Sequence, residues 1–424
     1  MKGSFILALS ISLAILMPVG WEPPKAFAEA PAIKIGINIE LSGKQSAYGL
    51  PIARALRFIA EKKNAAGGIK SLKGAKIELV ELDNATEVTA ATSNAERLGS
   101  DPKILVTYGP CTSALSMAVE PLADKWKVPN VFIFTTADSI FEHGNPYIVS
   151  VTIMASKLGE SYAEFMIFMH DRFKIPLNRI SMAYPDDDYG KDLTKRFKET
   201  LAKKGYEKNI VADIPFDWMA KDLTPVVLKI KRANPDFHLQ VARTADGKVY
   251  HDACFTQGFH PYEVGGTNGF NHPDLWKLLG EKIAAETLGN PKTFFIELGA
   301  YDLPNPERDA WVKEFHAKYP DIPIEQNLYL GGTASNFLIQ ALEEAGKADR
   351  QAINQALHRI KLSKNDPLDF CGIFETPGPA FNPQGKSNAW PVIGEWRKVG
   401  GQWQKVSLWH PTRGLFNTPK GFVK

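Results

Sequence analysis

Twice along this chain, short apolar strands alternate with amphipathic helices, and no other feature so narrows what it can fold into. In the first series the strand-like runs are Ile33–Ile39, residues 76–82, Ile104–Tyr108 and residues 130–134. Between them, Ile52, Leu56 and Ile59 share one helical face, and "SALSMAVEPLADKW" repeats apolar residues at i, i+4 and i+7. The glycines of "AAGGIK" stop the first helix. A second series begins after "NPYIVSVT". Its strand-like runs, at 179–184, Ile210–Phe216, 236–242 and 262–265, alternate with helical patterns at 157–170, 190–204, 223–233 and 247–257. Two successive βαβ series predict an α/β chain with two parallel sheets, each covered by helices. Beyond Thr293–Glu297 come three helical patterns, at 306–319, 327–345 and 352–359. The end, "AWPVIGEWRKVGGQWQKVSLW", reads as a β-hairpin turning at Gly400 and Gly401.

The amino-terminal end follows a different logic. Lys2 precedes an apolar run at 5–19, then helix-breaking Pro18 and Gly20, then the A-x-A pattern of Ala26 and Ala28. This predicts a cleaved signal peptide over 1–28 and a mature start at Glu29. The run is short for a membrane span, which takes about 20 residues, and no cysteine near the cleavage point could carry a lipid. About 395 residues remain, a length suited to two domains. The leader takes two lysines and one glutamate with it, leaving +2 of the formal +3 on the mature chain. That balance predicts no nucleic-acid partner and no strong pull toward membranes. Cys111, Cys254 and Cys371 are widely spaced, none at zinc-like spacing. They read as buried small hydrophobes.

Open parallel α/β sheets bind ligands outside the carboxyl ends of their strands. The turns that fall there are "LSGKQSAYG", "YGPCTSA" and "FTTADS" in the first series, and "YPDDDYG", "ARTADG" and "GGTNG" in the second. Ser, Thr and Gly at helix starts offer hydroxyls and free backbone N–H groups suited to a carboxylate. Taken alone, each such turn reads as ordinary N-capping; recurrence at the same end of both sheets points to a site. Catalytic signatures are absent: no G-x-S-x-G elbow, phosphate loop, G-x-G-x-x-G or H-E-x-x-H. No catalytic residue, metal or cofactor is therefore expected. The acidic run at 186–188 lacks further oxygen ligands at calcium-loop spacing and reads as a solvated, capping turn. Cys111, though at a helix start, has no base partner that would make it a nucleophile.

Five segments in order, "GINIELSGKQSAYG", "NAAGGIK", "LVTYGPCTSA", "DDYGKDL" and "KDLTPVVLKIKRANPD", give the mature chain a family likeness. Together they resemble the periplasmic substrate-binding proteins of branched-chain amino-acid-type ABC importers, the leucine/isoleucine/valine-binding protein family. The resemblance implies a type I periplasmic-binding fold: two Rossmann-like lobes joined by three hinge crossings, near 147–152, 297–302 and 370–373. Lobe 1 would combine 30–148 with 301–369, and lobe 2 would combine 149–300 with 370–424, including the hairpin. It further implies an exported, non-enzymatic receptor that captures an amino acid or similar small carboxylate and hands it to ABC permease subunits in the membrane. A monomer suits such a carrier. The same fold also serves sensors that present their closed form to a signalling partner.

Carried onto this sequence, the resemblance makes Tyr48 an aromatic wall of the cleft and Thr112 the hydroxyl residue that receives a ligand carboxylate, with Ser113 beside it. Thr136 and Asp138 fall in a first-lobe contact loop, and Tyr189 matches the aromatic residue that closes from the second lobe. Two departures stand out. Arg243 replaces an expected tyrosine, and Thr267 or Asn268 stands where an ammonium-binding glutamate would be. Arg243 offers a planar fork for a carboxylate, or pairs internally with Asp246 or another acidic neighbour. Two ligand classes stay open: an amino acid, with Asp138 substituting for the lost glutamate, or a carboxylate without an amino group.

Overall fold

A computed structural model describes residues 30–299, 305–363, 366–374 and 377–422. The expected leader at 1–28 lies outside them, as do residues 300–302 of the second expected crossing. The first sheet contains β1 (Ile33–Ile39), β2 (Ile77–Asp83), β3 (Ile104–Tyr108), β4 (Asn130–Phe132) and β5 (Ile148–Ser150). All pairs are parallel, in the order β2–β1–β3–β4–β5. β1 lies inside the sheet and is buried on both faces: Ile33, Ile35, Ile37 and Ile39 fill one side, while Gly36 and Asn38 are enclosed on the other. Its helices are α1 (Ser46–Ala65), α2 (Val88–Ser100), α3 (Ser113–Trp126) and the single turn α4 (Ser139–Glu142).

From β5 the chain enters α5 (Ala155–Phe173) and builds a second sheet from β6 (Ile180–Pro185), β7 (Ile210–Phe216), β8 (Phe237–Ala242), β9 (Tyr262–Thr267) and β10 (Thr293–Glu297). These are again parallel, in the order β7–β6–β8–β9–β10. They are linked by α6 (Asp188–Lys203), α7 (Thr224–Ala233), α8 (Thr244–Gln257), α9 (Asp274–Leu279) and α10 (Glu281–Glu286). Three further helices, α11 (Pro306–Lys318), α12 (Gln326–Ala345) and α13 (Arg350–Arg359), follow. Of these, α12 packs on α1 and α13 on β3, beside the first sheet. A small pair, β11 (Lys361–Leu362) and β12 (Gly378–Pro379), precedes β13 (Val392–Val399), β14 (Gln402–His410) and β15 (Gly414–Leu415). β13 joins β10 antiparallel, so the hairpin extends the second sheet.

The architecture is α/β, with parallel sheets in two lobes. Two details differ from the sequence reading. Residues 148–150, taken as part of a crossing, form edge strand β5; three residues are too few to declare themselves by alternation. β4 stops at Phe132 rather than 134, because the chain turns there across the start of α3, where the Ser113 hydroxyl accepts from the N–H groups of Thr136 and Ala137. The three cysteines are buried, as expected.

Candidate ligand-binding cleft

The turn after β1 is shaped by two glycines. Gly43 has φ +81°, and a Cβ there would lie 2.1 Å from the Ala85 carbonyl oxygen; a Cβ on Gly49 would lie 2.3 Å from that of Glu40. The first turn of α1 can therefore lie against the end of β1, which brings Tyr48 to the cleft with 2% of its surface exposed. Its ring meets Phe134 edge-on at 4.8 Å, and its buried hydroxyl makes no hydrogen bond of normal geometry, with the Asn268 side chain beside it. Burial pushes that hydroxyl well above its usual range, with Arg243 opposing the shift.

Next along the first lobe, the turn from β3 into α3 carries Cys111, Thr112 and Ser113. Glu40, fully buried, accepts from the N–H of Cys111 at 3.0 Å and from the N–H and hydroxyl of Thr112 at 3.0 and 3.1 Å. The donors assigned to a ligand carboxylate at Thr112 are thus already engaged by a carboxyl group of the protein itself. Burial, opposed by these hydrogen bonds, raises the pKa of Glu40. Burial and Glu40 together push the Cys111 thiol well above its usual range, the opposite of a reactive thiolate. The Ser113 hydroxyl accepts at 3.2 and 3.1 Å from the N–H groups of Thr136 and Ala137, and lies 3.5 Å from the Thr136 hydroxyl.

In the second lobe, Asp187 caps α6 by accepting from the Gly190 N–H at 2.9 Å and pairs with Arg243 Nη2. The acidic turn is therefore a cap, as read, and also an ion-pair partner. Arg243 precedes α8; its backbone N–H donates to Asp246 at 3.2 Å, and its Nη1 lies 3.9 Å from the same carboxylate. Tyr189 and Trp218 each place a ring centroid 5.3 Å from the guanidinium carbon. Burial works against the charge on Arg243, but Asp187 and Asp246 hold its pKa above the ordinary value. Burial raises Asp246, with Arg243 opposing, and pushes Tyr189 up to about 12. Arg243 Nη1 is buried and without a hydrogen-bond partner.

These elements enclose a small cavity of about 20 Å³ between the lobes. Seven of the nine residues expected at the site line it: Tyr48, Thr112, Ser113 and Thr136 from the first lobe, and Tyr189, Arg243 and Thr267 from the second. Asn268 lies deeper, donating to Asn327 at 3.2 Å, and Asn327 in turn donates to the Ala47 carbonyl. Asp138 departs from its expected place as an ammonium partner. Its carboxylate accepts from the N–H and hydroxyl of Ser156 at 2.7 and 2.9 Å and pairs with Lys386 at 3.0 Å, tying the start of α5 to the segment before β13. Sequence reading missed Cys111 and Phe134 as lining residues, and Trp218, which Lys44 of the first lobe reaches by a hydrogen bond to the carbonyl and by contact with the ring. Phe134 stands two residues before Thr136 and was within reach of the argument; nothing in "DWMAKDL" marks Trp218. Among the described residues, no group of three or more His, Cys, Asp or Glu could hold a metal ion.

Two parallel-sheet lobes that face each other across a small, polar, aromatic-walled cavity have the layout of a solute-binding protein. The profile of the family described as periplasmic binding protein matches residues 32–381, and the chain belongs to that family. A Leu/Ile/Val-binding protein homologue of Brucella suis is 24% identical over 362 residues, covering 84% of this chain and 86% of the relative. The branched-chain amino acid transporter substrate-binding protein LivJ of Streptococcus pneumoniae, solved with isoleucine, superposes with a TM-score of 0.72 at 23% identity, covering 90% of this chain and all of that one. A solute-binding protein of an ABC transporter from Rhodopseudomonas palustris, solved with 3,4-dihydroxybenzoic acid, gives 0.71 at 18% identity, covering 92% and 99%. At these identities the solved structures establish the type I periplasmic-binding fold.

Proposed function

We propose that this protein is an extracytoplasmic receptor that closes its lobes on a small carboxylate-bearing solute, an amino acid or a related acid, and delivers it to an ABC importer. The observation that carries this reading is a cavity with Tyr48 on one wall and Arg243 and Tyr189 on the other. A solute touching both walls stabilises the closed form, and only such differential contact can shift an opening–closing equilibrium. Relatives solved with isoleucine and with an aromatic acid agree with a small carboxylate as the solute class. A leader over 1–28 would export the chain, and lobe 1 (30–148 with 301–369) would hinge against lobe 2 (149–300 with 370–424). Presentation of the closed form to a signalling partner is the alternative use of the same motion.

The test is a thermal-shift screen of refolded, solute-stripped mature protein against amino acids, amides and simple acids. A solute at about 100 times its Kd adds about 2.7 kcal/mol of stability. Stimulation of a reconstituted cognate permease–ATPase by the loaded receptor separates delivery from sensing. A protein that no solute stabilises, and that yields no bound solute on unfolding, would overturn the receptor reading.

A further inference from the structure

We infer that the solute is a small carboxylate with a flat or short apolar body and no amine, and that Arg243 Nη1 and the Tyr48 hydroxyl receive its carboxylate. The inference rests on the receptor reading and narrows it.

Three observations converge. Arg243 Nη1 and the Tyr48 hydroxyl are buried donors without a hydrogen bond of normal geometry, Nη1 lying 3.9 Å from Asp246 and the hydroxyl beside Asn268, and their residues line one cavity from opposite lobes. A buried donor without an acceptor is destabilising, and a carboxylate between the two would satisfy both and bridge the lobes. Arg243 is fixed for this role: Asp187 holds Nη2, while the Tyr189 and Trp218 rings flank the guanidinium.

Secondly, the other place for an anion is taken. Glu40 already engages the Cys111 and Thr112 N–H groups and the Thr112 hydroxyl. A solute carboxylate at the β3–α3 turn would compete with Glu40 for those donors.

Thirdly, among the described residues no carboxylate side chain lines the cavity. Asp187 is engaged by Arg243 and the Gly190 N–H, Asp138 by Ser156 and Lys386. Two acceptors without partners, Asp246 Oδ1 and Asn268 Oδ1, belong to residues outside the lining. An ammonium held there would meet hydroxyls and a guanidinium of its own sign, and a buried charge without a counter-charge is strongly disfavoured. The edge-on pair of Tyr48 and Phe134, with Tyr189 opposite, suits a flat or short apolar body.

The experiment is calorimetry on refolded, solute-stripped mature protein with acids and amino acids that differ only by the amine: phenylacetate against phenylglycine, 4-methylpentanoate against leucine, 3-phenylpropionate against phenylalanine. Benzoate and benzamide complete the panel. The expected result is that at least one acid binds about 100-fold or more tightly than its amino-acid or amide counterpart. Tyr48→Phe should weaken that acid about 5- to 10-fold, the loss of one hydrogen bond. This arm stands even if Arg243 variants fail to fold. An amino acid that binds as tightly as its deaminated partner overturns the inference and leaves the receptor reading intact. Failure of every acid overturns it too. Mass spectrometry of solute released on unfolding the protein as purified then decides the broader reading: a released solute of another class preserves it, and none counts against it.

Discussion

The two walls of the cleft are built differently. On the first-lobe side the polar groups of the β3 and β4 turns are mostly satisfied from within: Glu40 holds the Thr112 turn, and Ser113 holds the N–H groups of Thr136 and Ala137. On the second-lobe side, Arg243 Nη1, the Thr244 hydroxyl and Asp246 Oδ1 are buried without hydrogen-bond partners. The first wall is a finished scaffold to which Tyr48 adds one open hydroxyl. The second carries the unspent polar capacity, so the cost of an empty cleft falls mainly on its side. This asymmetry suits a receptor: the rigid wall fixes the position of the solute and the unsatisfied wall supplies the incentive to close.

The largest break in that comparison comes from Arg243→Ala. The variant leaves Asp187 and Asp246, with side chains only 10% and 2% exposed, without the guanidinium that pairs with both, Lys44 being a cation still acting on Asp246. Breaking a buried pair in this way costs about 3–5 kcal/mol of stability, measurable by urea denaturation, and abolishes solute stabilisation. A loss below about 1 kcal/mol would mean that the second wall is not strained by its charges. A comparable effect is expected from pH at Glu263, on the strand that carries Thr267. Burial pushes this carboxyl up to about 7, against hydrogen bonds from Tyr250 and Thr293. Its folded pKa lies above the unfolded value of 4.5, so its contribution is complete below that value and is lost as pH rises through about 7. The swing is about 3 kcal/mol. Chemical denaturation between pH 4.5 and 8 should show stability falling with pH, and Glu263→Gln should flatten that slope. An unchanged slope in the variant would remove Glu263 as its source.

The first wall is tested by Glu40→Ala. It strands the Cys111 and Thr112 N–H groups, at about 1–3 kcal/mol, whereas Glu40→Gln keeps an acceptor and should cost less. If Glu40→Ala instead admits amino acids into the cleft, the β3–α3 turn has been freed for a solute carboxylate, and the division of labour between the walls reverses.

Sequence alone made the frame legible for a physical reason. A strand inside a parallel sheet needs apolar side chains on its packed face, as Ile33, Ile35, Ile37 and Ile39 supply, and ligands bind at the turns beyond the carboxyl ends of such strands. The turns were located that way; Tyr48, Thr112 and Tyr189 were singled out within them by the family resemblance, and Arg243 by a departure from it. What sequence did not disclose are partnerships across long separations. Glu40 meets Thr112 across 72 residues, and Asp138 meets Lys386 across 248. No local pattern announces either, and each changes the chemistry expected of the residue concerned. Thr112 was read as a free donor and Asp138 as a free acceptor; both are engaged by the protein itself. The nature of Arg243 was open for the same reason, since the fork and the internal pair both exist, one on each nitrogen.

The smallest effect belongs to the contact that spans the two walls without lining the cavity. Lys44 follows the Gly43 turn, donates to the Trp218 carbonyl and lies 5.0 Å from the centroid of its ring, while the same ring lies beside Arg243. Trp218 thereby couples the first-lobe lip to the guanidinium of the second. The lysine is only half-buried, so the link is worth about 0.5–1.5 kcal/mol, and under the proposed closing motion it would form only as the lobes come together. Lys44→Ala should therefore leave solute association nearly unchanged while speeding dissociation about 3- to 10-fold, because most changes at a closing contact appear in the off-rate. Stopped-flow displacement measures both rates. An equal slowing of association would place Lys44 in capture rather than in closure. An unchanged off-rate would mean that the two walls are held together by solute alone.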